Sequence, residues 1–361
     1  MTQAAPIAAR FRQVFDGFAL DVNIEFPGRG VSAVFGPSGS GKTTLLRCIA
    51  GLQRCANGYL RIGADVWQDE SAKVFRPVHQ RPLGFVFQEA NLFAHLSVLQ
   101  NLEFGRLRVP VAQQKLPLAQ AIDLLGLGAL LHRQTTALSG GERQRVGIAR
   151  ALATSPRVLL MDEPLASLDA QRKAEVLPYL ERLAAELEVP IVYVSHAVDE
   201  VARLADHVVF IEAGRVAATG ATGDVMTRLE LPLAHGDAAA SIIDAVVSSL
   251  EPQYFLSYAS FAGGQISLIN FQRKVGEVVR VRVQARDVSI SLLRPASTSV
   301  QNIFSATVVG LADDSPGQVM VALSAGGTRL LARLTQKSVA ALALVPGTPV
   351  FAQVKGVAVL R

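Results

Sequence analysis

At 361 residues the chain is long for a single core, and two domains are expected. Half of the residues are apolar, yet no uninterrupted apolar run approaches the ~18 to 20 residues needed to cross a bilayer, so the chain does not span a membrane by itself. The net charge of +5 gathers toward the C-terminus, where residues 236–361 carry 11 basic against 7 acidic side chains; this excess is too dilute and too poor in aromatics for nucleic acid, and it suits a small anion. The N-terminal stretch Met1 to Pro6 lacks the basic-then-apolar order of a secretory signal, and no lipidation motif is present. Cys48 and Cys55 match neither a metal spacing nor a disulfide framework, and they read as buried free thiols of a reducing cytoplasm.

Strand-like apolar runs alternate with helical patterns through about residue 212, the signature of a parallel sheet covered by helices. The first predicted strand, Val31–Phe35, runs into Gly36-Pro37-Ser38-Gly39-Ser40-Gly41-Lys42-Thr43, and a helix begins at Thr44. Glycines at this spacing let successive N–H groups point inward toward a helix N-terminus, which is how a chain cradles phosphate. Lys42 is placed to reach the β- and γ-phosphates of a nucleoside triphosphate and the Thr43 hydroxyl to hold Mg²⁺. The next strand, Leu83–Phe87, leads to Gln88 and to a helix-rich insert over about residues 92–150.

Leu138-Ser139-Gly140-Gly141-Glu142 opens a helix inside that insert. Ser139 and the two glycines can present a hydroxyl and bare N–H groups, which makes a second anion-facing element. One nucleotide with two such elements makes physical sense when two copies pair head-to-tail, each closing over the phosphate held by the other. Strand Val158–Met161 then ends in Asp162 and Glu163: Asp162 can hold Mg²⁺, and Glu163 is placed to polarise an attacking water. A helix is predicted over 170–188, with Val176, Leu180, Leu183 and Leu187 on one stripe and Pro178 bending its first turns. Strands Ile191–Val194 and His207–Ile211 complete the sheet, and His196 follows the first of them.

The order of these motifs over residues 10–225 resembles the ATP-binding subunits of ABC transporters. The resemblance implies that Leu138–Glu142 is the signature that contacts the partner's nucleotide, that Gln88 senses Mg²⁺ and the membrane subunits, that Ser167-Leu168-Asp169 crosses the dimer, and that His196 contacts the γ-phosphate. It also implies an aromatic stacked on adenine; the family usually has Tyr or Trp, and here the candidates are Phe15 and then Phe18. The segment from Asn91 to Val98, following Gln88, is implied to dock the membrane subunits.

From Gly236 the pattern changes to short alternating strands such as Val278–Val283 and Val350–Val354, punctuated by Gly263-Gly264, Gly326-Gly327 and Pro346-Gly347, and reads as all-β and barrel-like. The boundary is expected within 231–240, giving domains 1–235 and 236–361. Gly276, Val279, Val283 and Val288 recur 71 residues later as Gly347, Val350, Val354 and Val359, which points to stacked copies of one strand unit.

Ser299 to Ile303, Thr335 to Ser338 and Pro346 to Lys355 resemble the molybdate- or tungstate-binding domain of molybdate importer ATPases, as do Leu177 to Leu183 and Tyr193 to His196. Val300-Gln301 departs from the Ala-Arg of that motif. The fold class expected is therefore an α/β phosphate-loop ABC ATPase domain with a helical subdomain, followed by a C-terminal all-β, OB-like domain. Ser299, Asn302, Lys337, Ser338 and Lys355 are the candidates for holding a tetrahedral oxyanion. The resemblance implies ATP and Mg²⁺ as cofactors, a homodimer of ATPase subunits, two integral membrane permease subunits, an extracytoplasmic molybdate-binding protein and a peripheral place on the cytoplasmic face of the cell membrane. ATPases of the same architecture for sulfate, sugar, polyamine or ferric iron are the near alternative, and a soluble ABC ATPase is the distant one.

Overall fold

The computed structural model describes residues 6–15, 17–269 and 273–360, so the N-terminal residues 1–5 read above lie outside the described residues. The chain forms two compact units that part at Gly220/Ala221.

The first unit carries an eleven-stranded sheet built from β1 (Ile7–Phe15), β2 (Phe18–Phe26), β3 (Val31–Phe35), β4 (Asn57–Ile62), β5 (Asp65–Asp69), β6 (Val74–Phe75), β7 (Leu83–Val86), β8 (Val158–Asp162), β9 (Ile191–Val194), β10 (His207–Glu212) and β11 (Arg215–Ala221). Their order is β6-β5-β4-β1-β2-β11-β10-β3-β9-β8-β7. The block β10-β3-β9-β8-β7 is parallel, and every residue of β3 and β9 is buried, as continuous apolar runs covered on both faces must be. The strands β6-β5-β4-β1-β2 are antiparallel; in β2 the buried residues Leu20, Val22, Ile24 and Phe26 alternate with exposed ones, as on a sheet with a single buried face.

The helices are α1 (Lys42–Ala50), α2 (Val98–Arg106), α3 (Leu118–Leu124), α4 (Gly140–Leu152), α5 (Ala170–Glu186) and α6 (Val198–Leu204). Apolar residues of α2 to α5 share one core with Val86, Leu159 and Met161, while α1 packs in a second core with Phe11, Leu60 and Trp67. Helix α5 continues through Pro178, with Val176, Leu177, Leu180 and Leu183 buried on either side of it. Cys48 and Cys55 are both free and buried, with their sulfurs 3.1 Å apart.

The second unit opens with α7 (Thr222–Met226), and the unit division therefore precedes the composition break expected within 231–240. The reason is packing. Leu229 rests against a cluster of Ala234, Ala239, Ala285, Met320, Ala322 and Leu331, so the intervening segment joins the second unit's core. The strands that follow are β12 (Ala240–Glu251), β13 (Leu256–Phe261), β14 (Gly264–Ile269), β15 (Val278–Gln284), β16 (Val288–Ser291), β17 (Asn302–Ser315), β18 (Gln318–Ala325), β19 (Thr328–Thr335), β20 (Pro349–Val354) and β21 (Ala358–Val359), with α8 (Gln336–Ala341) after β19.

Two sheets, β14-β13-β12-β15-β21 and β19-β18-β17-β20-β16, have the same internal order and share one apolar core. Each half of the domain lends its last strand, β16 or β21, to the other half's sheet. This exchange accounts for the 71-residue repeat, whose first three residues attend one sheet and whose fourth lies in the other. Equivalent hydrogen bonds tie the halves together: Leu331 N donates to Ser241 Oγ at 2.8 Å, and Ser267 N donates to Asn302 Oδ1 at 2.7 Å.

Candidate functional site

The phosphate loop joins β3 to α1, and its shape depends on glycine at two places. Gly36 has φ 156° and a side chain there would collide with the Ile211 carbonyl; Gly41 has φ 98° and lies against the Phe18 ring. Lys42 is 5 % exposed, and its Nζ donates to the carbonyls of Gly36 at 2.9 Å and Pro37 at 2.7 Å. Burial lowers the Lys42 pKa, opposed by the charges of Glu163 and Asp162. Ser40 is buried and its hydroxyl has no hydrogen-bond partner among the described residues; an orphaned hydroxyl inside such a loop fits a bound phosphate. Ser38 and Gly39 are exposed, and Thr44 is half-buried on the first turn of α1.

Parallel pairing of β3, β9 and β8 brings the ends of these strands together. Thr43 Oγ1 donates to Asp162 Oδ1 at 2.9 Å, and burial raises the Asp162 pKa. Glu163, with φ 46°, turns the chain off β8; its N–H donates to the Val194 carbonyl at 3.0 Å, and its Oε2 lies 3.2 Å from His196 Nδ1. Thr43, Asp162, Glu163 and His196 thus stand in one constellation beside Lys42. A Thr hydroxyl and a buried carboxylate in contact are oxygen ligands of the kind Mg²⁺ prefers. Phe15 and Phe18 stack at 5.8 Å and 24° beside this loop, so the two aromatic candidates form one pair.

The signature residues and Asp169 make their hydrogen bonds away from this constellation, whereas Gln88 follows β7, whose Val86 pairs with Met161 just before Asp162. Ser139 and Glu142 form a capping box on α4, with Ser139 N donating to Glu142 Oε2 at 2.7 Å and Glu142 N to Ser139 Oγ at 3.2 Å. Asp169 caps α5, accepting from Arg172 N at 2.8 Å. Gln88 is exposed just beyond β7. No hydrogen bond or ion pair among the described residues joins Ser139, Gly140, Gly141, Glu142 or Asp169 to residues 36–44. A cleft of about 540 Å³ in this unit has Glu89, Asn91, Thr136, Gly140, Ser167 and Arg172 in its lining, so the segment after Gln88, the signature and the Ser167 turn share one surface.

Two residues that shape this surface were absent from the sequence reading. Asn101 is fully buried; its Oδ1 accepts from Phe93 N at 2.9 Å, and its Nδ2 donates to the Phe93 and Ser97 carbonyls at 3.1 and 3.0 Å. Arg150 donates to the Asn91 and Ala90 carbonyls at 2.9 and 3.1 Å. The legible signal was an Asn on the buried stripe of α2 beside Val98 and Leu102.

In the second unit the five oxyanion candidates do not converge within one chain. Asn302 starts β17 opposite Val354, which precedes Lys355, whereas Lys337 and Ser338 follow β19 at the far end, where Ser315 faces Gln318 and Gln318 faces Thr335. Several are also already engaged. Asn302 is 7 % exposed and bonded to Ser267, and Ser338 N donates to Thr335 Oγ1 at 3.1 Å in the α8 cap. Ser299, Lys337 and Lys355 are exposed. Short polar motifs at strand and helix ends resemble binding residues while serving as caps and cross-sheet ties.

The phosphate loop, acidic strand end and helical insert define the class: an ABC transporter ATPase, which binds ATP. Residues 20–166 match the ABC transporter family model, and residues 298–360 match the TOBE domain. The molybdenum import ATP-binding protein ModC of Aromatoleum aromaticum is 57 % identical over 355 residues, covering 98 % of this chain and 94 % of that protein. ModC of Albidiferax ferrireducens is 54 % identical with 95 % and 93 % covered, and ModC 1 of Azotobacter vinelandii 52 % identical with 98 % of each covered. The solved structure of cbiO1 from Clostridium perfringens, part of an ABC transporter complex, is similar with a TM-score of 0.53 at 29 % identity, covering 62 % of this chain and 91 % of that one. The chain belongs to the family of molybdenum import ATP-binding proteins.

Proposed function

We propose that this chain is the ATP-hydrolysing subunit of an ABC importer that brings molybdate, and tungstate as its closest chemical analogue, into the cytoplasm. The observation that carries the reading is the convergence of Thr43, on the first turn of α1, with Asp162, Glu163 and His196, at the ends of adjacent strands, beside Lys42, in a chain similar over nearly its whole length to molybdenum import ATP-binding proteins. Lys42 leaves its loop carbonyls for the β- and γ-phosphates, and Gly36, Ser38, Gly39, Ser40, Gly41 and Thr44 surround the phosphate chain. Thr43, Asp162 and Gln88 hold Mg²⁺, which neutralises phosphate charge when bound. Glu163 orients and polarises the attacking water, His196 contacts the γ-phosphate, and Phe15 stacks on adenine.

In this reading two copies pair head-to-tail, and Ser139, Gly140, Gly141, Glu142 and Asp169 act on the partner's nucleotide. Two permease subunits dock on the segment from Asn91 to Val98, and an extracytoplasmic binding protein delivers the oxyanion. Among the described residues no helix is long and apolar enough to cross a membrane, which fits a peripheral subunit on the cytoplasmic face. The first unit carries the ATPase and the second an oxyanion-binding or regulatory module. The test is uptake in cells whose own copy is deleted. Wild-type chain restores uptake of molybdate at low external concentration and Glu163→Gln does not; restoration of sulfate uptake instead would assign the chain to another importer.

A further inference from the structure

Behind His196 lies a carboxylate that the reaction set out above does not use. Glu200, on the first turn of α6, is 4 % exposed, and donors surround it. Tyr193 OH and Ser195 Oγ each donate to its Oε2 at 2.8 Å, and Lys173 Nζ donates to Oε1 at 2.8 Å. Ser195 Oγ in turn accepts from Ala197 N at 3.0 Å. The residues on both sides of His196 are therefore tied through one hydroxyl to one buried carboxylate. Burial, with the Glu200 charge beside it, pushes the Tyr193 phenol well above its ordinary range and keeps it a donor.

An ionised carboxylate is expensive to bury unless donors and a counter-charge compensate it, and a position that only needed filling would be served by an apolar side chain. Its location gives it a use. Ser195 N donates to Val34 of the phosphate-loop strand at 3.4 Å, and Lys173 N donates to the Asp169 carbonyl at 2.9 Å. The network thus links the first turn of α5 to the turn that presents His196, whose imidazole reaches Glu163.

We propose that Glu200 is a positioning residue for hydrolysis: through Ser195 it sets the orientation of His196, and through Lys173 it makes that orientation depend on the first turn of α5 and on Asp169. The proposal rests on the assignment of His196 to the reaction site.

Steady-state ATPase kinetics on the full chain with its membrane partners test it, using single and double variants. Glu200→Ala lowers kcat about 10- to 100-fold, the cost of a misplaced reaction-site group, with KM for ATP within about twofold of wild type. In a His196→Ala background the same change adds less than about twofold, because the two act as a unit. Glu200→Gln, which keeps the size and one acceptor oxygen, recovers part of the rate, and Lys173→Met lowers kcat by a smaller factor. Should the Ala variant fail to fold, the Gln and Met variants carry the same comparison. Full additivity of the His196 and Glu200 losses, or a Gln variant no faster than the Ala variant, overturns the proposal. A His196→Ala enzyme with normal kcat removes the assignment of His196 itself and the positioning role with it; a slow His196→Ala enzyme beside a normal Glu200→Ala enzyme removes the positioning role alone.

Discussion

The candidate ligand sites of the two units treat their polar side chains in opposite ways. In the first, the phosphate loop keeps a buried hydroxyl at Ser40 without a partner among the described residues and a buried Lys42 folded onto its own loop carbonyls. In the second, three of the polar groups are matched internally: Asn302 by Ser267, Ser338 by Thr335, and Asp314 by Gly236 N at 2.8 Å and Arg333 Nε at 2.6 Å. Unmet or self-satisfied groups in a glycine cradle mark a place prepared for a ligand, whereas groups paired across strands mark a fold held in register. The same residue types therefore carry different meanings, and the difference lies in which groups have protein partners.

Lys42→Ala gives the largest expected effect, a loss of ATP affinity of more than about 100-fold, since an ion pair to phosphate and the loop contacts go together; equilibrium binding of a fluorescent ATP analogue checks it. Glu163→Gln comes next, with hydrolysis reduced about 100-fold or more while ATP stays bound and a dimer accumulates, seen by light scattering at saturating ATP. Asn302→Ala strands Ser267 N inside the second unit and costs about 1–3 kcal/mol of stability; denaturant unfolding should show this with ATP affinity unchanged. Because burial lowers the Lys42 pKa, ATP affinity weakens as pH rises, beginning below the range in which an ordinary lysine loses its proton, and an affinity flat through that range contradicts the assignment. The smallest effect distinguishes the two ends of β17. In calorimetric titration of molybdate into the full chain, Lys355→Ala weakens binding severalfold and Lys337→Ala leaves it unchanged; the reverse pattern moves the oxyanion to α8.

The central strands were legible because parallel strands covered on both faces are written as unbroken apolar runs. Val31–Phe35 and Ile191–Val194 keep their predicted bounds, and the others shift by one residue at one end. The antiparallel strands β1, β2 and β4 to β6 escaped that reading. Their signal is present as strict alternation in Phe18–Phe26, but a search for continuous apolar runs passes over a strand with Asp21, Asn23 and Glu25 on its open face. Thr43, Asp162 and His196 were readable from motif spacing, since sheet order alone brings strand ends together. Asn101, Arg150 and Glu200 were not, because each acts through contacts that depend on tertiary packing. The oxyanion candidates show the converse: Ser299 to Asn302 and Thr335 to Ser338 look alike as polar motifs, and only the topology sets them at opposite ends of a fourteen-residue strand.

The most direct measurement is ATP hydrolysis by the chain reconstituted in vesicles with the permease of a molybdate importer, with the extracytoplasmic binding protein supplied either molybdate-loaded or sulfate-loaded. Hydrolysis rising with the molybdate-loaded protein alone, and absent in Glu163→Gln, is the predicted result. Equal stimulation by both, or hydrolysis indifferent to either, would contradict an ATPase dedicated to molybdate import.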